Sequence, residues 1–234
     1  MRTIDVCLSP DMMHLYDVRD KTVVVVDIFR ATSCMTTAFA YGVKRITPVA
    51  TLDECLALKS SLCYTAGERD GKKIAEFDFG NSPFEYMHPS LLGKDIAFTT
   101  TNGTQAIVKS REAREILIGS FLNLSAVAKH LERGENNILV VCSGWKGKVN
   151  LEDTLFAGAV VELLKDTIKA ACDAPLLAQH LYSQAKTNMG EFLKHASHVQ
   201  RLARLGIKKD IDYCLTPDQF NVVPVLKNNV LTVE

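Results

Sequence analysis

Apolar and polar positions follow two rhythms along the 234 residues of the chain. Short runs rich in β-branched residues recur: "TIDVCL" at 3–8, "TVVVVDI" at 22–28, "RITPVA" at 45–50, "DIAFTTT" at 95–101, "EILIGSF" at 115–121 and "NNILVVCSG" at 136–144. They predict strands, and the unbroken valine run predicts one buried on both faces. Helical patterns lie between them. Residues 33–42 close at Gly42, 51–61 open on capping residues, and 103–113 and 123–134 follow strands directly; 150–165 carries the clearest amphipathic pattern. Two more helices are expected within 172–206, and short strands from 210 to the end. Strands alternating with helices predict an α/β fold, a mostly parallel or mixed sheet flanked by helices. One compact domain over 1–234 is expected, or two intimately packed subdomains.

Residues 67–94 break the rhythm. They are rich in glycine, hold two prolines, and include Phe77, Phe79, Phe84 and Tyr86. A segment of this length with so many aromatics predicts an ordered functional loop. There is also an internal strand–helix repeat. Residues 21–59, moved by 72 positions, lie over 93–131; "RATS" (30–33) then falls on "NGTQ" (102–105), with Thr32 over Thr104.

Ligands of such sheets bind beyond the carboxyl ends of the strands. Polar clusters fall there three times, at 27–33, 99–104 and 143–153. Thr32 and Ser33 open one helix, and Asn102, Gly103 and Thr104 open another; free N–H groups at a helix start suit phosphate. Arg30 and Arg69 offer planar forks for phosphate or sulfonate. Asp27, Glu68, Asp78, Glu152 and Asp153 stand among these donors, and carboxylates beside phosphate donors point to a bridging Mg²⁺. Each residue also has a plainer reading. Thr32 and Ser33 serve equally well as helix caps. Asn102-Gly103 suits a turn, as do Asp78 and Asn81. Asp27 pairs naturally with Arg30, and Glu152-Asp153 suit the dipole of a first helical turn. His195 and His198 read most simply as structural.

Composition narrows the choice. Basic and acidic residues balance at 27 each. A neutral chain lacks the field that holds a nucleic acid, while a small anion remains possible. Seven cysteines, with no C-x-x-C pair, argue against a disulfide framework and a zinc site and predict buried free thiols. No signal peptide or membrane-spanning run is found, so a cytoplasmic protein is expected. The signatures G-x-x-x-x-G-K-[ST], G-x-G-x-x-G and G-x-S-x-G are absent. Cys34 lacks the C-x5-R spacing of a thiol phosphatase.

Six segments taken in order carry a resemblance: "VVVVDIFRATS", "AGERDG", "EFDFGNSPFEY", "FTTTNGTQAI", "IGSFLN" and "LEDTLFAGAVVELL"; "ASHVQRLARLGIKKDIDYCL" fits as well. Together they resemble the 2-phosphosulfolactate phosphatase family over nearly the whole chain. The resemblance implies a Mg²⁺-dependent, homodimeric enzyme that converts 2-phospho-3-sulfolactate to 3-sulfolactate and phosphate on the way to coenzyme M. The positions that match are Asp27, Arg30, Thr32 and Ser33; Glu68 and Arg69; Asp78, Asn81 and Ser82; Thr101, Asn102, Gly103 and Thr104; and Glu152 and Asp153. The expectation is then that Asp27, with Glu68 or Asp153, holds Mg²⁺. Asp27 and Arg30 act in catalysis. The hydroxyls and amides at 32–33, 81–82 and 101–104, with Arg69, hold the anionic phosphorylated substrate. Two rivals stand: a phosphatase of another small phosphorylated hydroxy acid, and a non-catalytic anion-binding module.

Overall fold

The computed structural model describes residues 1–233. Its strands are β1 (Thr3–Cys7), β2 (Lys21–Val26), β3 (Arg45–Pro48), β4 (Cys63–Arg69), β5 (Lys72–Lys73), β6 (Asp95–Thr99), β7 (Glu115–Gly119), β8 (Asn137–Cys142), β9 (Lys169–Ala170), β10 (Val225–Lys227) and β11 (Val230–Thr232). Its helices are α1 (Ala31–Ala40), α2 (Leu52–Ala57), α3 (Gly103–Lys109), α4 (Leu124–Arg133), α5 (Leu151–Leu164), α6 (Asp173–Ala185), α7 (Met189–Leu193), α8 (Ser197–Arg204) and α9 (Lys209–Cys214). The expected α/β architecture is present as one mixed sheet in the order β5-β4-β6-β3-β11-β10-β7-β2-β8-β1-β9.

That order reads nearly the same from either end of its centre. β2, the strand of the first repeat copy, pairs in parallel with β7 of the second, and β6 of the second pairs in parallel with β3 of the first. The copies therefore exchange strands. Each half gains one further parallel partner, β8 on β2 and β4 on β6. The antiparallel hairpin β10-β11 joins the halves, through Val225 opposite Leu117 and Leu231 opposite Ile46.

The valine run explains why β2 is central. Val24 and Val26 enter a core shared with α4, α5 and α6, while Val23 and Val25 enter a second core with α1 and α3. All four are fully buried, each contributing on the order of 1.5 kcal/mol. The second core also takes Ile96 and Phe98 of β6 and Ile46 of β3, so α1 and α3 pack between the two halves. A small third core of Cys55, Phe77 and Ala97 lies under α2.

Three local readings change. Residues 67–94 are not one loop: β4 runs into them to Arg69, β5 follows, and 3₁₀ turns form at Pro83–Met87 and Pro89–Leu91. Residues 150–165 are helical but buried on nearly every side, because α6 covers the face expected to meet water; the carbonyl of Ala178 occupies the space a side chain on Gly158 would need. Residues 210–214 belong to α9 rather than to a strand. The cysteines are free, and Cys7, Cys34, Cys55, Cys142 and Cys214 are buried. Among the described residues no helix is long and apolar enough to cross a membrane.

Candidate active site

β2 stops at Val26, and the next residue is Asp27. The turn into α1 is held by one hydroxyl. Thr32 Oγ1 accepts the Asp27 backbone N–H (3.0 Å) and donates to the Asp27 carbonyl (2.9 Å). Ser33 Oγ donates to the carbonyl of Ile28 (2.9 Å). Both hydroxyls are therefore spent within their own loop. The Ala31 N–H reaches Asp27 Oδ1 at 3.4 Å, and Asp27 Oδ2 takes no hydrogen bond. Arg30 is buried. Its Nη1 donates to Asp210 Oδ2 on α9 (2.5 Å) and its Nη2 to the carbonyl of Gly71 (3.3 Å), so it ties three chain segments together.

The second copy repeats the brace. Thr104 Oγ1 accepts the N–H of Thr100 (3.1 Å) and donates to its carbonyl (3.0 Å). Thr101 N–H donates to Glu68 Oε1 (2.8 Å), and Gly71 N–H to Glu68 Oε2 (2.5 Å). Arg69 is held by Thr99 Oγ1 (2.9 Å) and by the carbonyl of Glu68 (2.7 Å). Asn102 Oδ1 accepts the N–H of Lys146 (3.1 Å). The two copies meet at Gly103. A Cβ there would lie 2.8 Å from both Asp27 Oδ2 and Ala31 Cβ, so only glycine allows the approach. Asn81 and Ser82 lie nearby on the Arg30 side, where Ser82 shares a cavity with Arg30 and Asp210. Asp78 stands apart, accepting from Thr65 and pairing with Lys59 (2.8 Å).

The third strand end completes the arrangement. Gly144 turns with φ +57° and donates its N–H to Asp153 Oδ2 (3.0 Å); Asp153 Oδ1 accepts the N–H of Ile28 (2.9 Å). Asp153 thus staples the β8 loop to the β2 loop. Its neighbour Glu152 places Oε1 2.6 Å from His198 Nδ1 on α8. The His198 ring lies between Phe29 and Trp145, at centroid distances of 5.9 and 5.7 Å. Three residues on, Arg201 lays its guanidinium over the Trp145 ring at 3.5 Å.

Burial and like charge govern the electrostatics. Asp27 is pushed up to about 6, by burial first; Glu68 and Glu152 add to the rise, while His198 and the Ala31 N–H oppose it. Burial, with Glu152 and Asp27 beside it, pushes Asp153 well above the usual carboxylate range. Burial also pushes the Cys34 thiol well up, which keeps it protonated and unfit as a nucleophile.

Among the described residues, five buried side-chain polar atoms lack a hydrogen-bond partner: Arg30 Nε, Asn81 Oδ1, Ser143 Oγ, Glu152 Oε2 and Arg201 Nη2. Arg30 follows β2, Ser143 follows β8, Glu152 opens α5 and Arg201 is on α8, while Asn81 comes from the segment after β5, next to Ser82. Orphaned polar groups cost about 1–3 kcal/mol each, so several of them at neighbouring strand ends mark a place that a polar ligand completes. Two cavities flank it, one of about 480 Å³ bordered by Arg30, Ser82 and Asp210, and one of about 220 Å³ bordered by Thr101, Asn102 and Ser143. A third cavity, of about 930 Å³, lies at the opposite ends of β7 and β8 and includes none of the candidate residues.

No group of three or more His, Cys, Asp or Glu side chains among the described residues is placed to hold a metal ion. Glu68 and Asp153 spend each oxygen on a backbone N–H, which leaves Asp27 Oδ2 and Glu152 Oε2 open. Mg²⁺ is commonly held by one or two carboxylates, with waters and substrate phosphate filling the rest of its shell, and two open carboxylate oxygens fit that pattern.

Sequence reasoning gathered the three loops but missed the α8 side. It read His198 as structural and left Arg201, Trp145, Ser143 and Asp210 without a role. The spacing of His198 and Arg201, three apart and so on one helix face, was the available signal.

Residues 7–229 match the family model described as 2-phosphosulpholactate phosphatase. The chain is similar to three proteins named "Probable 2-phosphosulfolactate phosphatase". That from Thermotoga petrophila is 41% identical over 231 residues, covering 99% of this chain and 98% of the relative. That from Caldanaerobacter subterraneus subsp. tengcongensis is 40% identical over 220 residues, covering 92% and 91%. That from Clostridium acetobutylicum is 40% identical over 230 residues, covering 96% and 97%.

Proposed function

The chain belongs to the 2-phosphosulpholactate phosphatase family, and from that premise we propose that it hydrolyses the phosphate monoester of 2-phospho-3-sulfolactate to 3-sulfolactate and phosphate. The observation that carries the proposal is that the unpartnered buried polar atoms include Arg30 Nε, Ser143 Oγ and Glu152 Oε2, all at or just beyond the carboxyl ends of β2 and β8.

Asp27 is the reacting carboxylate. Its oxygen is open, and a group titrating near 6 is ionised at neutral pH yet basic enough to take a proton from water. The water oxygen bonds to phosphorus, the bond from phosphorus to the C2 oxygen breaks, and that oxygen leaves as the hydroxyl of sulfolactate, taking up the proton that Asp27 received from the water. Arg30, fixed by Asp210 and Gly71, presents Nε toward the phosphate. The remaining work is positioning and charge stabilisation. A divalent cation belongs to the same proposal, held through Asp27 and Glu152 with Glu68 and Asp153 fixing the surrounding loops. When bound it would neutralise phosphate charge. Cytoplasmic location, a homodimer and a step toward coenzyme M come with the family reading.

Phosphate release from 2-phosphosulfolactate tests the proposal. Asp27→Asn is expected to lower kcat by about 10²–10⁴-fold with an unchanged circular dichroism spectrum. Activity within a few-fold of the parent removes Asp27 from the reaction. Turnover that survives thorough chelation removes the cation, and hydrolysis of other phosphorylated hydroxy acids in preference redirects the substrate.

A further inference from the structure

Arg201 is the guanidinium the preceding reading leaves idle. It sits half-buried on α8, stacked on Trp145, and makes no salt bridge or side-chain hydrogen bond to a described residue; its Nη2 is buried and unpartnered. A half-buried cation with no direct partner is costly unless a ligand supplies one. The carboxylates that act on it are Glu152, Glu68 and Asp70. Glu152 and Glu68 are also the two that raise Asp27. Contacts tie Arg201 to the same loops: it lies on Trp145, whose ring neighbours His198, and His198 meets both Glu152 and Phe29, two residues from Asp27.

We propose that Arg201, flattened on Trp145, is the specificity-determining residue that receives the sulfonate of the substrate. The inference rests on the activity proposed above and deepens it. Arg30 lies three residues from Asp27 and serves the phosphate end; Arg201, on α8 with an unpartnered Nη2, meets a second anion. Stacking on the indole holds the guanidinium plane and leaves its edge free, the geometry that suits a multi-oxygen anion. Of the substrate's two further anions, the sulfonate is the one that presents three oxygens to such an edge.

The test compares kcat/KM for 2-phosphosulfolactate with that for 2-phospholactate, which has no sulfonate, in the parent and in Arg201→Met. The preference of the parent for the sulfonated ester is expected to fall roughly 10–100-fold, mostly through KM, the range for a lost charged hydrogen bond. Arg201→Lys keeps charge but not the fork and is expected to fall between. It also serves if Arg201→Met folds poorly. Calorimetry with 3-sulfolactate and with lactate should show the same loss for the sulfonated ligand alone. A variant that slows both esters in equal proportion, keeping the preference, makes Arg201 merely structural and overturns the assignment. If the parent hydrolyses 2-phosphosulfolactate and Arg201→Met leaves its preference intact, the sulfonate assignment fails while the activity stands. A parent that does not hydrolyse 2-phosphosulfolactate removes both.

Discussion

The β2–α1 and β6–α3 turns are two versions of one device. In each, a threonine near the helix start grips both the N–H and the carbonyl of a residue just beyond the strand: Thr32 grips Asp27 five positions back, and Thr104 grips Thr100 four back. The first turn spends its extra residue on charge, presenting Asp27 and Arg30. The second is neutral: Thr101 donates its amide to Glu68, Asn102 accepts from Lys146 and Gly103 makes room. The brace is common to the repeat; the chemistry sits on one copy and depends on the other for its walls.

The sharpest way to break this division is at the contact between the copies. Gly103→Ala places a methyl group against Asp27 Oδ2 and Ala31. It is expected to cost about 1–3 kcal/mol of stability in a urea titration, and to lower kcat/KM about 10²-fold by displacing the carboxylate. A melting temperature and kcat/KM both close to the parent's would show that the two turns do not press on each other.

A second test separates brace from chemistry. Thr32→Val and Thr104→Val each remove a pair of hydrogen bonds and are expected to lose similar stability, about 1–3 kcal/mol. Thr32→Val should cost about tenfold more in kcat, because it loosens Asp27 itself. Equal kinetic losses would mean that the copies share the reaction evenly.

The smallest expected effect concerns pH. Asp27 titrates near 6 in the folded chain against 3.8 for a free aspartate. Between about pH 4 and 6 the native state holds a proton that the unfolded state has lost. Its contribution to stability is therefore present at low pH and is lost as pH rises through that window. Catalysis runs the other way, since the ionised form accepts the proton, so kcat/KM should rise with pH, at a midpoint that the proposed cation would draw below 6. Glu152→Gln removes a charge that pushes Asp27 up, so the stability midpoint of the metal-free chain should move to lower pH. A midpoint that stays put would separate Glu152 from Asp27.

Much of the fold was readable because the valines of β2 and the repeated strand–helix spacing report burial directly. β4 was not. Its sequence CYTAGER offers few apolar residues and contains Gly67 with φ +143°, which reads as loop until β6 lies against it. α9 was missed because "DIDYCL" alternates like a strand, although Ile211 and Cys214, three apart, are what enter the core. The same limit governs the site. Asp27, Arg30 and Asn102 stand out where apolar runs end. His198 and Arg201 carry no such mark, and their chemistry appears only once Trp145 and Glu152, some fifty residues earlier in the chain, are brought beside them.

The hairpin of β10 and β11 sits at the middle of the sheet, yet the ribosome delivers it only after both of the strands it joins, β3 and β7. Until Val225 and Leu231 emerge, the edges of β3 and β7 that they cover stay open, and open edges invite pairing with a neighbouring chain. Synthesis of this protein therefore carries a window of adhesiveness that ends only when the two sides are zipped together.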